Sequence, residues 1–152
     1  MNLIYQQACP GGLTCYTMTS VREFIVICAR SDAAPAETVD ELWTYNTICC
    51  IWKRYKPPME FFNSCCSPET CSENNTVYIC GRGYNGDDLQ HINFIVSFDV
   101  INTKWTTLYS HTEDQGDNAP PPIDVILHFC HNGSPYVIGI HQEEEIVMML
   151  KL

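Results

Sequence analysis

Apolar positions in this chain alternate with polar ones or gather in short runs, and almost nowhere do they recur at the three-to-four spacing of an amphipathic helix. The runs FIVIC at 24–28, TVYIC at 76–80, INFIVSFDV at 92–100, IDVILHF at 123–129 and PYVIGI at 135–140 are rich in β-branched and aromatic side chains. Such residues pack well on a pleated, half-buried surface, so each run is predicted to be a strand. Pro, Gly and Asn punctuate the sequence between them. Asn74-Asn75, Asn102-Thr103 and Asn132-Gly133 supply turns, the last pair being the one favoured where a tight hairpin needs positive φ. The pattern predicts an all-β protein.

The pattern also repeats. The strand Ile25 to Ala29 recurs as Val77 to Gly81, 52 residues on, and as Pro135 to Gly139, 58 residues further. Each copy leads into a polar stretch read as a loop: RSDAAPAETVDE, RGYNGDDLQH and IHQEEE. An aromatic residue follows with Trp seven positions later, Tyr45 with Trp52 and Phe98 with Trp105. Prolines come next, Pro57-Pro58 in one unit and Pro120-Pro121-Pro122 in the other, the second delayed by the acidic insertion HTEDQGDN. A period of about fifty residues marks a repeat architecture.

With these markers the sequence resembles the kelch repeat, most clearly in VYICGRGYNG…SFDVINTKW, with FIVICARSD…WTYNTICCIWKRYKPPM as a degenerate copy and PYVIGI…EEEIVMMLKL as a third that stops early. The resemblance implies a partial kelch-type β-propeller, about two four-stranded blades plus part of a third. It would be a single segment over 1–152, with units at 24–76, 77–134 and 135–152. Tyr45, Trp52, Gly81, Phe98, Trp105 and Gly139 are its repeat markers. The glycine pair of the pattern is reduced: Arg82 follows Gly81, Ala29 stands in the first copy, and Ile140 follows Gly139. A four-stranded sheet cannot bury both faces alone, so blades stack and each covers its neighbour. Closing a ring takes about four to eight blades. The chain is therefore expected to be a segment of a longer protein, or to associate with further propeller blades.

Composition narrows the function. Of 152 residues 45% are hydrophobic and 17% charged, which excludes a disordered chain. A formal charge of −10, from 18 acidic and 8 basic side chains, disfavours nucleic acid and anionic membranes, whose phosphates are bound through Lys and Arg. No run approaches the roughly eighteen apolar residues of a membrane span. The start, MNLIYQQACPGG, has neither a basic nor an apolar leader region, so the expected location is cytoplasmic. In that compartment the ten cysteines read as small buried hydrophobes, Cys28, Cys80 and Cys130 within strands, with disulfides and metal ligation as the alternatives.

Little in the sequence assembles into chemistry. Gly81 to Gly86 matches GxGxxG after a strand, but Asp87-Asp88 and another strand follow where a dinucleotide site needs a helix. Cys65, Cys66 and Cys71 near a proline are the best metal candidates, but no paired CxxC spacing exists. His128 and His131 lie in a strand, where they do not easily converge on one ion. There is no GxSxG elbow and no electropositive cysteine. Lys53 to Lys56 reads as a solvated turn and Glu143 to Glu145 as a solvated loop open to a basic partner. Asn74 and Asn132 head sequons that turn chemistry already explains. Some kelch-like propellers are copper oxidases, but no spacing of Tyr, His and Cys marks such a site here. The expectation is a non-catalytic chain with no cofactor and no metal.

The expected function is protein–protein interaction through the loops after the repeated strand. Those loops carry Arg30, Ser31 and Asp32; Arg82, Tyr84, Asn85, Asp87 and Asp88; and His141 with Glu143. Arg and Tyr are favoured at interface hot spots. The resemblance further implies the substrate-recognition part of a cullin-based ubiquitin-ligase adaptor. The alternatives are a structural, actin-binding-like assembly component and a Cys-rich secreted binding domain.

Overall fold

The computed structural model describes residues 9–31, 39–58, 68–85, 89–110, 123–141 and 144–151. Among these there are eleven strands and no helix. Four form a first sheet in sequence order: β1 (Leu13–Val21), β2 (Phe24–Ser31), β3 (Val39–Asn46) and β4 (Ile51–Tyr55). Four more repeat that order in a second sheet: β5 (Glu69–Glu73), β6 (Thr76–Asn85), β7 (Leu89–Asp99) and β8 (Lys104–Ser110). The third sheet has three strands, β9 (Ile123–His131), β10 (Ser134–His141) and β11 (Val147–Lys151). All neighbouring strands are antiparallel. A unit that starts at Phe24, Val77 or Pro135 thus opens in the second strand of a sheet.

Local chemistry repeats with the strands. Val21 faces Phe24, Glu73 faces Thr76 and His131 faces Ser134 across two-residue turns. The first turn residue is left-handed each time: Arg22 at φ 51°, Asn74 at 55° and Asn132 at 48°. Asn46 and Asp99 close the next hairpin of the first two sheets alike, their Oδ1 atoms accepting from Ile48 and Cys49 N–H, and from Ile101 and Asn102 N–H. Four residues on, Cys50 and Thr103 are both left-handed, at φ 57° and 53°. A short polar side chain bonding two residues ahead is what fixes such turns.

Because directly paired residues share a face, each sheet has two distinct sides. We call the side bearing Val26 and Cys28, and in the second sheet Cys80 and Ile95, the forward face. The opposite side is the rear face. Val21, Val26, Cys28 and Leu42 on the forward face of the first sheet join Val77, Ile79, Phe94, Val96 and Phe98 on the rear face of the second in one core. Cys80, Ile95 and Tyr109 on the forward face of the second sheet meet Val125 and Val137 on the rear face of the third, with Met148 and Leu150 against them. Fully burying a side chain of this size contributes about 1.5–3 kcal/mol. The stack is head to tail, forward face on rear face, twice.

The first strands of the sheets, β1, β5 and β9, lie side by side and bind through polar side chains. Thr17 and Thr70 hydroxyls are 2.9 Å apart, Thr19 Oγ1 donates to Ser72 at 3.1 Å, and Cys71 and Cys130 sulfurs are 3.0 Å apart. Gly133 N–H donates to the Glu73 carboxylate at 2.7 Å.

Several positions differ from expectation. Arg30 and Ser31 belong to β2, Arg82, Tyr84 and Asn85 to β6, and His141 to β10, so these six are strand residues and not loop residues. In the second sheet the pairing of β6 with β7 continues past a register shift between Gly81 and Arg82 as far as Asn85 and Leu89. Asp32, Asp87, Asp88 and Glu143 lie outside the described residues. So do Cys65 and Cys66.

Candidate functional site

The strand directions place unlike connections at the two edges of the stack. One edge carries the tight turns at 22–23, 47–50, 74–75, 100–103 and 132–133. At the other edge end the strands that are joined by 32–38, 56–68, 86–88, 111–122 and 142–146. Arg30–Ser31, Arg82 to Asn85 and His141 stand in the last residues of β2, β6 and β10 at this same edge, so the structure does bring these six to one side of the molecule.

Charge differs between the edges. The five connections at this edge contain one basic side chain, Lys56, and hold two acidic residues in 32–38, one in 56–68, two in 86–88, three in 111–122 and three in 142–146. That is eleven of the eighteen acidic side chains of the chain. The opposite edge is mixed in sign, with Arg22 and Lys104 at or beside its tight turns together with Glu23, Glu73 and Asp99. Runs of one sign on a surface favour partners of the other. This signal was present in the sequence but only the strand directions collect it.

In the third sheet the edge is tightly built. His141 N–H donates to the Ile146 carbonyl at 2.8 Å, the His141 carbonyl accepts from Glu145 N–H at 3.0 Å, and His141 Nδ1 accepts from Glu144 N–H at 3.3 Å. Glu145 is left-handed, with φ 52°. Glu144 and Glu145 are exposed.

The repeat markers occupy equivalent places. Tyr45 pairs with Trp52 and Phe98 with Trp105, ring centroids 4.7 and 4.8 Å apart. Both pairs lie on rear faces, but their surroundings differ. Phe98 is fully buried, with Tyr55 of the first sheet 4.8 Å from it. The rear face of the first sheet meets no other sheet of the chain among the described residues, and its Tyr45 and Trp52 are half-exposed. Trp43 beside them is 4% exposed, under Trp52 in edge contact at 6.3 Å and Arg54 at 5.9 Å. The Trp43 indole N–H and the Arg54 guanidinium both donate to the buried Glu41 carboxylate at 2.6 Å, so that charge is paired.

Several titratable groups lie in the core among the described residues. Burial pushes the thiols of Cys71 and Cys130 above the ordinary cysteine value, which keeps them protonated and weakly nucleophilic. Burial pulls the imidazole of His128 below its ordinary value; its Nδ1 lies 3.3 Å from the Glu69 carbonyl and Nε2 has no partner. Gly81 to Asn85 continues as strand and Leu89 opens the next, so no helix follows the glycines to receive a pyrophosphate. Among the described residues no group of three His, Cys, Asp or Glu side chains is placed to hold a metal ion. Cys9, Cys49, Cys50, Cys71 and Cys130 are free thiols. No described helix is long and apolar enough to cross a membrane.

No family model matches the chain, and no curated protein matches it either. Solved structures of similar build exist. A Clostridium novyi NT protein described as a conserved lipoprotein superposes with a TM-score of 0.53 at 12% identity, covering 95% of this chain and 88% of that one. A thermostable family-43 glycoside hydrolase also matches, with a TM-score of 0.47 at 12% identity, over 93% of this chain and 48% of the hydrolase. The expectation of a non-catalytic chain is corrected here: with a glycoside hydrolase among the structural neighbours, the architecture gives no ground for excluding catalysis. At that identity it gives no ground for assigning an activity either. What the likeness shows is the fold, an all-β stack of three antiparallel sheets.

Proposed function

We propose that the chain is a propeller-type, kelch-like protein-interaction module that takes a basic protein partner on its acidic edge. The observation that carries this reading is the excess of negative charge: eleven acidic side chains against one basic, Lys56, in the five connections that join strands at one edge. Rigid sheets with tight turns at one edge and mostly longer connections at the other suit partner recognition, because connections vary without disturbing the strands that hold them. Arg82 and Tyr84 at the end of β6 and Arg30 at the end of β2 are the contact residues within this field.

The test is capture from cell extract with the wild-type chain and with Asp87→Lys/Asp88→Lys/Glu143→Lys. Wild type is expected to retain a basic protein that salt between 50 and 300 mM releases, and the variant to retain at least about tenfold less, the loss of only about 1.4 kcal/mol. A partner held equally by both, or held regardless of salt, contradicts the reading. A cullin recovered with an exchanging client would point to a degradation adaptor, and a fixed stoichiometric partner to an assembly role.

A further inference from the structure

Among the described residues the head-to-tail stack leaves two unlike faces over: the rear face of the first sheet and the forward face of the third. We propose that two copies of this 152-residue chain close on each other through these faces, the third sheet of each seated on the first sheet of the other, as a ring of six sheets. This goes beyond partner recognition at the acidic edge and uses different residues.

Leu42 and Ile95 occupy the same place on the forward faces of the first and second sheets, paired with Cys28 and Cys80, and are 0% and 2% exposed. Met149, paired with Ile138, holds that place in the third sheet and is 63% exposed. On the rear faces the relation reverses. His128, paired with Val137, is 5% exposed, whereas Met18, paired with Ile27 in the same place of the first sheet, is 61% exposed. The apolar residues left in water are those whose counterparts are covered wherever a sheet follows.

The two existing joints also share one register. Thr17 meets Thr70 in the first joint, and the same positions in the second are the Glu69 carbonyl and His128, 3.3 Å apart. Thr19 meets Ser72 in the first, and Cys71 meets Cys130 in the second. Advancing that series by one sheet brings Leu127 of one copy against Met18 of the other, and Phe129 against Ser20. Leu127 is 50% exposed. Where the inner joints pair polar groups, this one would pair two apolar side chains that now face solvent, so association removes apolar surface from water.

Copy number follows from closure. A forward face fits a rear face and not its own kind, so the contact is heterologous, and such contacts end only in rings or open filaments. Closed rings hold about four to eight sheets. With three sheets among the described residues of each copy, one copy falls short, three exceed the range, and two fit.

Sedimentation equilibrium of the 152-residue chain is expected to give twice its 17.3 kDa mass. Leu127→Glu and Met18→Lys should each give the single-chain mass, the dissociation constant rising by about a hundredfold or more, because the ring contains the contact twice and an unpaired charge resists burial. Both sites are exposed, so circular dichroism should show the same strand content; should either variant unfold, Met149→Glu takes its place with the same outcomes. The double variant Met18→Lys/Leu127→Glu pairs the charges across both joints and should recover the two-chain mass, while Ile101→Glu, at a turn on the tight-turn edge, should not alter it. A wild-type chain that sediments singly or as any species other than two chains overturns the proposal. So do single variants that stay paired, or a double variant that does not recover.

Discussion

Gly81 shows how one residue ties sequence to packing. A Cβ built there would lie 2.0 Å from Cε1 of Phe94, the ring directly across the pair. Phe94 is 1% exposed in the core between the first two sheets, so it has nowhere to retreat. Gly81→Ala should therefore cost about 1–3 kcal/mol in urea unfolding, the usual penalty for overfilling a packed core. An unchanged midpoint would mean that Phe94 does not fill this space. The first copy tolerates Ala29 in the equivalent place because its cross-strand partner is Glu41 and not an aromatic ring. The weakened glycine pattern in the sequence thus has a local cause. Other residues gave no such hint: Arg22 and Cys50 are left-handed, but neither residue type signals a turn, and only their places beside Asn74 and Thr103 explain them.

At the scale of strands, the apolar runs of β2, β6, β7, β9 and β10 were legible because they alternate or cluster as buried strands do. The strands β1 and β5, LTCYTMTSV and ETCSE, carry Thr and Ser where a core strand would carry Val and Ile, so hydrophobicity alone passes over them. Their polar groups are satisfied by the neighbouring sheet, Thr17 by Thr70 and Thr19 by Ser72, a solution visible only once the sheets are side by side. The same strip makes stability depend on pH. His128 in β9 is buried against β5 and its imidazole is held below the ordinary value. As pH falls below about 6.5, the unfolded chain takes up a proton that the folded chain does not yet bind. Folding is therefore penalised progressively until the lower folded value is reached, by at most about 1.4 kcal/mol for each pH unit. Unfolding measured at pH 7.5 and 5.0 should show wild type losing stability on acidification, with His128→Gln losing less. Equal losses in both would mean that other groups carry the effect.

For the whole molecule, the repeat was legible in the spacing of Tyr45 to Trp52 and Phe98 to Trp105, and the sheets follow it. Two features were not. The order of faces is absent from any single repeat, because forward and rear residues simply alternate along each strand; it emerges from which alternate set is covered by the next sheet. The acidic edge was likewise dispersed over five connections, and only the common direction of β2, β6 and β10 unites it. Both functional proposals, a basic partner on that edge and a second copy on the end faces, inherit their geometry from the head-to-tail stack. That stack rests on contacts between residues far apart in sequence, of which Tyr55 and Phe98 are the clearest, their ring centroids 4.8 Å apart. Nuclear Overhauser spectroscopy on a chain labelled in its aromatic rings measures this contact directly. A strong cross-peak between the ring protons of Tyr55 and Phe98, lost in Tyr55→Leu, is the predicted result. Its absence, with Tyr55 instead showing cross-peaks to the rings of Phe129 or Tyr136 in the third sheet, would mean that the sheets stack in another order.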